Sequence, residues 1–196
     1  MNFLGHLFLS IDNTEFRIGN LMADGLPASQ LSGYPPMMQL GYRYHHWIDE
    51  YTDGHHGFKR SKALLSPHQG HYAAVVVDLA YDHFLALNWD VYSEIALDEY
   101  VRGFYNEYLE YKGELPAQFR TVMTYMIRYN WLQSYSTIEG LQKAFDGMSR
   151  RTKYSNRLSE AAAVIYEYKE ELEKHFKDLL LDIVPDSRKW IKKHLG

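Results

Sequence analysis

His45 and Asp49 stand four residues apart, and so do Asp78 and Asp82. On an α-helix that spacing stacks two side chains one turn apart on the same side. A neutral imidazole and a carboxylate placed this way can clasp one divalent ion from a single helix. Two carboxylates placed this way repel each other. If buried they also lose hydration, and a cation or strong donors must offset the loss. His71 shares the stripe of Asp78 and Asp82, and His83 follows about 100° further round. Two further candidates lie near the start of the chain: His6 amid Phe3, Leu4, Leu7 and Phe8, and Asp24 after Gly19-Asn20-Leu21-Met22-Ala23.

Each feature alone has a plainer reading. His6 fits a hydrogen-bonded core histidine, Asp24 a turn-closing residue, and His45/Asp49 a surface contact at helical spacing. His55-His56, just after a glycine, reads as a turn facing water. Asp78/Asp82 differs, because Val75, Val76, Val77, Leu79, Ala80, Phe84, Leu85, Ala86 and Leu87 leave their helix almost no polar face. Cysteine is absent, so disulfide scaffolds and thiolate metal sites are excluded, and a metal falls to the 10 His and 25 Asp and Glu. Such nitrogen and oxygen donors favour Mn²⁺, Mg²⁺ or Fe over a structural zinc. The chemistry they suggest is metal-assisted hydrolysis, typically of a phosphate ester.

The segments that carry these groups are helical nearly throughout. Helices are expected at roughly 2–11, 14–23, 36–52, 56–65, 69–89, 98–112, 116–134, 137–148, 155–182 and 186–194. Turn residues separate them at Asp12-Asn13, Gly25 to Pro36, Asp53-Gly54, Ser66-Pro67, Gly113 to Pro116, Asp146-Gly147 and Pro185. The helix at 36–52 turns Met37, Leu40, Tyr44, Trp47, Ile48 and Tyr51 inward, with His45 and Asp49 along one flank. No alternating runs suggest a sheet, and no repeat or linker interrupts the chain.

With 196 residues, 46 % hydrophobic and 23 % charged, the chain reads as one all-α domain, a helical bundle over 1–196. The 17 Tyr imply a core packed by large rings. A net charge of −4 gives no support to bulk binding of nucleic acid. No stretch approaches the roughly 20 apolar residues that cross a bilayer, and the N-terminus lacks the basic leader and cleavage site of a signal peptide. A cytoplasmic protein is expected.

Several blocks resemble the acyl carrier protein phosphodiesterases: Met1-Asn2-Phe3-Leu4-Gly5-His6-Leu7, Gly19-Asn20-Leu21-Met22-Ala23-Asp24, and His45-His46-Trp47-Ile48-Asp49-Glu50-Tyr51-Thr52-Asp53. The likeness continues through Asp78-Leu79-Ala80-Tyr81-Asp82-His83-Phe84-Leu85 and Trp89, and more weakly through Gly147-Met148-Ser149-Arg150-Arg151. It implies a helical fold related to the HD phosphohydrolases with a rearranged metal motif, since Asp82-His83 reverses the usual order. It further implies hydrolysis of the phosphodiester joining 4′-phosphopantetheine to a serine of holo-acyl carrier protein, with Mn²⁺ as metal. Carried over by position, His6, Asp24, His45, Asp49, Asp78, Asp82 and His83 correspond to the family's recurring polar residues. Of these, His6, His83 and Asp82 are expected in catalysis, and Asp24, His45, Asp49, Asp78 and Asp82 at the metal.

A carrier protein of this type is small and acidic, so a local basic patch is needed despite the net charge. Lys59, Arg60 and Lys62 are the first candidates, and Arg150 and Arg151 with Lys153 and Arg157 the second. Two other readings remain open. A related phosphohydrolase of nucleotides or small phosphoesters would show a closed pocket and activity without a carrier. A non-catalytic helical adaptor would bind no divalent metal.

Overall fold

The computed structural model describes residues 1–195. Its first helix, α1 (Phe3–Leu9), has only seven residues, too few to stand alone in water. The rest of the chain holds both of its ends. The carboxylate of Asp82 accepts hydrogen bonds from the backbone N–H groups of Asn2, Leu4 and Gly5 at 3.2, 2.7 and 3.1 Å. At the other end the hydroxyls of Tyr100 and Tyr44 donate to the carbonyls of Leu7 and Leu9 at 2.7 and 2.8 Å. These contacts satisfy groups that a helix leaves unpaired at its termini.

Next comes α2 (Thr14–Met22), whose start is capped by the Asn13 side chain. It lies hard against α3 (Pro36–Gly54). Glycine permits that approach: a Cβ on Gly19 would stand 2.0 Å from the carbonyl oxygen of Met38, and one on Gly41 2.1 Å from that of Phe16. The backbones of α2 and α3 therefore nearly touch where Asn20 and His45 are carried.

His55, read from the sequence as facing water, is buried. Its Nδ1 accepts the N–H of Gly57 at 3.1 Å and so caps α4 (His56–Gln69), while Nε2 faces Asp182 at 3.1 Å. α5 (Ala73–Leu87) runs through the interior, starting later than the sequence suggests because a 3₁₀ turn at Gly70–Tyr72 precedes it. His71 is thereby removed from the stripe of Asp78 and Asp82. A short turn, α6 (Trp89–Tyr92), leads to α7 (Leu97–Glu110).

The helix expected over 116–134 is two, α8 (Ala117–Arg128) and α9 (Trp131–Ser134), divided at Asn130, whose φ of 47° is left-handed. α10 (Ile138–Arg151) and α11 (Ala161–Glu167) follow. The chain ends in α12 (Lys169–Leu195), which runs straight through Pro185, where the sequence reading placed a break. Buried Leu180, Ile183 and Ser187 on either side of that proline hold the helix to the core.

Among the described residues twelve α-helices pack on one hydrophobic core, with Leu4, Leu7, Phe16, Tyr44, Tyr81, Phe84 and Phe176 at its centre. Among the described residues there is no strand. No helix among them is long and apolar enough to cross a membrane.

Candidate metal centre

Four sequence candidates meet where α1, α3 and the turn after α2 converge. His6 comes from α1, His45 and Asp49 from α3, and Asp24 from the 3₁₀ turn Ala23–Gly25. His6 Nε2 lies 3.1 Å from Asp49 Oδ1, and His45 Nε2 lies 3.1 Å from Asp49 Oδ2 and 3.0 Å from Asp24 Oδ1. One donor atom from each of His6, His45 and Asp49 falls within 4.8 Å of the other two. Both imidazoles are buried, whereas the side chains of Asp49 and Asp24 are 39 % and 71 % exposed. The cluster therefore has a closed histidine floor and an open carboxylate rim.

Electrostatics separates the two histidines. Burial lowers His6 to about 4, despite the pull of Asp49, so it is neutral near pH 7. Burial opposes charge on His45 too, but hydrogen bonds to Asp24 and Asp49 raise it to about 9. Asp24 is lowered by its hydrogen bond from His45. Burial acts to raise Asp49, yet the hydrogen bond from His45 and the imidazole of His6 beside it hold it well below the usual carboxylate range. Without a metal, the proton on His45 is the cation of the cluster.

The donor set fits a divalent metal. His6 Nε2 faces only acceptors, Asp49 Oδ1 and the carbonyl oxygen of Met1, each at 3.1 Å. Nδ1 of His45 is buried with no hydrogen-bond partner among the described residues. Two imidazole nitrogens and carboxylate oxygens turned toward one another are what such an ion receives.

The other expected residues lie elsewhere. Asp82 caps α1, as described above, and burial raises its carboxyl to about 7 against the Met1 ammonium and the three amides. All its close partners are N–H donors, which replaces its expected place as metal ligand and catalytic group. Asp78 pairs with the Met1 α-ammonium at 2.7 Å. Burial opposes that ammonium's charge, but Asp78 first, and then Asp49 and Asp82, hold it above its ordinary value. The compensation demanded by two carboxylates on a buried helix thus comes from an ammonium and a helix N-terminus.

His83, expected in catalysis, is fully buried. Its Nδ1 donates to the carbonyl of Tyr135 at 2.6 Å and its Nε2 accepts from the hydroxyl of Tyr166 at 3.2 Å. Burial lowers its pKa, and it ties α5 to α9 and α11.

Lys59, Arg60, Lys62, Arg150 and Arg151 are all exposed, and none forms an ion pair among the described residues. Asn20, fully buried, was not expected as a site residue, although an asparagine among Phe16, Ile18, Leu21 and Met22 was a usable signal.

The family model described as acyl carrier protein phosphodiesterase matches residues 1–183. A relative named acyl carrier protein phosphodiesterase from Photorhabdus laumondii is 30 % identical over 91 % of this chain and 87 % of its own. One of the same name from Yersinia pestis is 27 % identical over 94 % of each chain, and one from Klebsiella pneumoniae 28 % identical over 90 % and 92 %. No solved structure matches.

Proposed function

The chain belongs to the acyl carrier protein phosphodiesterase family, and from that membership we propose that it hydrolyses the phosphodiester linking 4′-phosphopantetheine to a serine of holo-acyl carrier protein. Water forms the new bond to phosphorus, the bond to the serine oxygen breaks, and that oxygen takes a proton. The products are apo-carrier protein and 4′-phosphopantetheine. The observation that carries this reading is the convergence of His6, His45, Asp49 and Asp24 from separate segments on one open-rimmed cluster.

His6, His45, Asp49 and Asp24 would hold a divalent cation, with Mn²⁺ our choice for such a nitrogen–oxygen set. When bound, the cation supplies charge neutralisation at the non-bridging phosphoryl oxygens and acidifies water near neutral pH. The buried imidazoles exclude solvent from the inner side, and Asp24 and Asp49 leave the outer side open to a phosphate carried on another protein. Asp82 and His83 act at one remove, fixing α1 and α5 beneath the cluster. Arg150 and Arg151, together with Lys59, Arg60 and Lys62, supply unpaired positive charge for an acidic, cytoplasmic carrier.

Mass spectrometry of holo-acyl carrier protein after incubation with the enzyme and Mn²⁺ tests this reading. The expected result is conversion to the apo mass with release of 4′-phosphopantetheine. Unchanged holo-protein, alongside hydrolysis of a free nucleotide, would overturn it.

A further inference from the structure

Asn20 is fully buried on α2, and three hydrogen bonds decide which way its amide points. The Ser10 hydroxyl donates to the carbonyl oxygen of His6 at 2.8 Å, which uses its only proton. Ser10 Oγ can therefore only accept from Asn20 Nδ2, 2.9 Å away. The same Nδ2 donates at 2.9 Å to the carbonyl of His6, which has no proton to give. With Nδ2 committed twice as donor, Asn20 Oδ1 is the atom left facing His6 Nδ1, at 3.0 Å.

That contact needs a proton on Nδ1. A neutral imidazole carries one N–H, so Nε2 then bears a lone pair. The lone pair points at Asp49 Oδ1 and the Met1 carbonyl oxygen, neither of which offers a proton. In the other tautomer the proton would sit on Nε2 and bond Asp49, occupying the position a cation needs, while Asn20 Oδ1 would face a second lone pair.

We propose that Asn20 is a positioning residue that holds His6 in its Nδ1–H tautomer and so presents Nε2 to a divalent cation. The inference rests on the metal reading above and adds to it the group that decides whether His6 can act as a ligand. Partners of this kind, bonded to the far nitrogen of a ligating histidine, typically change metal affinity about 10- to 100-fold when removed.

Nitrogen-15 NMR of the metal-free protein near neutral pH reads which ring nitrogen of His6 carries the proton. Nδ1–H is expected, and Nε2–H in the wild-type protein would overturn the proposal without recourse to any variant. Asn20→Leu should shift the proton to Nε2 and weaken Mn²⁺ binding in calorimetry by about 10- to 100-fold. Asn20→Asp, protonated in this buried site, keeps an acceptor for Nδ1–H and one donor for the His6 carbonyl, so it should keep the tautomer and hold Mn²⁺ within a few-fold of wild type, a rescue that loss of packing alone would not produce. If Asn20→Leu does not fold, Ser10→Ala, which frees one side of the amide, should give a smaller change of the same sign. A folded Asn20→Leu that binds Mn²⁺ as tightly as wild type would refute the role. Nδ1–H on His6 in a wild-type protein with no Mn²⁺ affinity would instead overturn the metal reading, and with it the purpose of the tautomer.

Discussion

The imidazoles of His6 and His45 stack with centroids 4.1 Å apart and planes 18° from parallel, although they belong to different helices. Two rings so close cannot both carry charge cheaply, and the surroundings settle which one does. His6 meets its carboxylate only on one edge from within the core, whereas His45 is shared between Asp24 and Asp49.

A pH dependence follows in the metal-free protein. His45 is raised from 6.5 to about 9, so its contribution to stability is full below about 6.5 and is lost as pH rises through 9. His6, lowered to about 4, acts with the opposite sign: between about 6.5 and 4 the unfolded chain binds a proton that the folded His6 refuses. The two histidines together therefore favour folding most near pH 6.5, an effect read as the difference between wild type and variant, since Asp82, raised to about 7, and the Met1 ammonium titrate in both. Melting temperatures across pH in chelator, compared with those of His45→Gln, check this. An upper limb as steep in the variant as in wild type would count against it.

Metal must displace the His45 proton to reach Nε2. Below pH 9, Mn²⁺ affinity should climb with pH, with close to one proton released per ion near pH 7.5. Calorimetry in two buffers of different ionisation enthalpy measures that release directly. Heats identical in both buffers would rule it out.

Asp49→Asn should lose Mn²⁺ affinity and turnover by orders of magnitude, because the one carboxylate that bridges both imidazoles is neutralised. Its effect on folding should be modest, since Asp24 still pairs with His45 and the side chain is partly solvated. Calorimetry and a thermal melt on the same sample separate the two effects.

Asp82→Asn should do the reverse. Its new amide group would turn N–H toward a backbone N–H of α1, leaving a buried donor unsatisfied at about 1–3 kcal/mol. Protein that remains folded should bind Mn²⁺ within a few-fold of wild type. A fully stable Asp82→Asn without metal affinity would return Asp82 to the metal.

Gly41→Ala should destabilise by about 1–3 kcal/mol or more, because its methyl group meets the Phe16 carbonyl and must force α2 from α3. Gly103→Ala on the exposed face of α7, where a Cβ would meet nothing within 4 Å beyond the helix's own backbone, should instead stabilise by about 0.5–1 kcal/mol. Denaturant melts of the pair give the contrast, and loss of stability in both would show that helix crossing is not the cause.

What depends on near neighbours could be read from the order of the residues. Helical periodicity reports local geometry, so the all-α class and the course of α2, α3 and α7 were legible, as was His45/Asp49, whose contact spans one turn of a single helix. Its errors of extent lie at Pro67, Gly70, Asn130, Tyr168 and Pro185, and before Ala161, where a local break or continuation depends on backbone conformation and on what the adjoining turns pack against.

What faces the remaining acids and histidines was settled by the packing of helices far apart in the chain. Spacing shows which side of a helix a group leaves from, but not what lies across the gap. Asp82 and Asp78 have the same periodicity as His45 and Asp49, yet α1 lies over them and offers backbone amides and an ammonium in place of an ion site. His6 joins His45 and Asp49 for the complementary reason: a seven-residue helix, held by Asp82 from 78 residues beyond Leu4 and by Tyr44 and Tyr100, is set across α3 with that one imidazole turned inward.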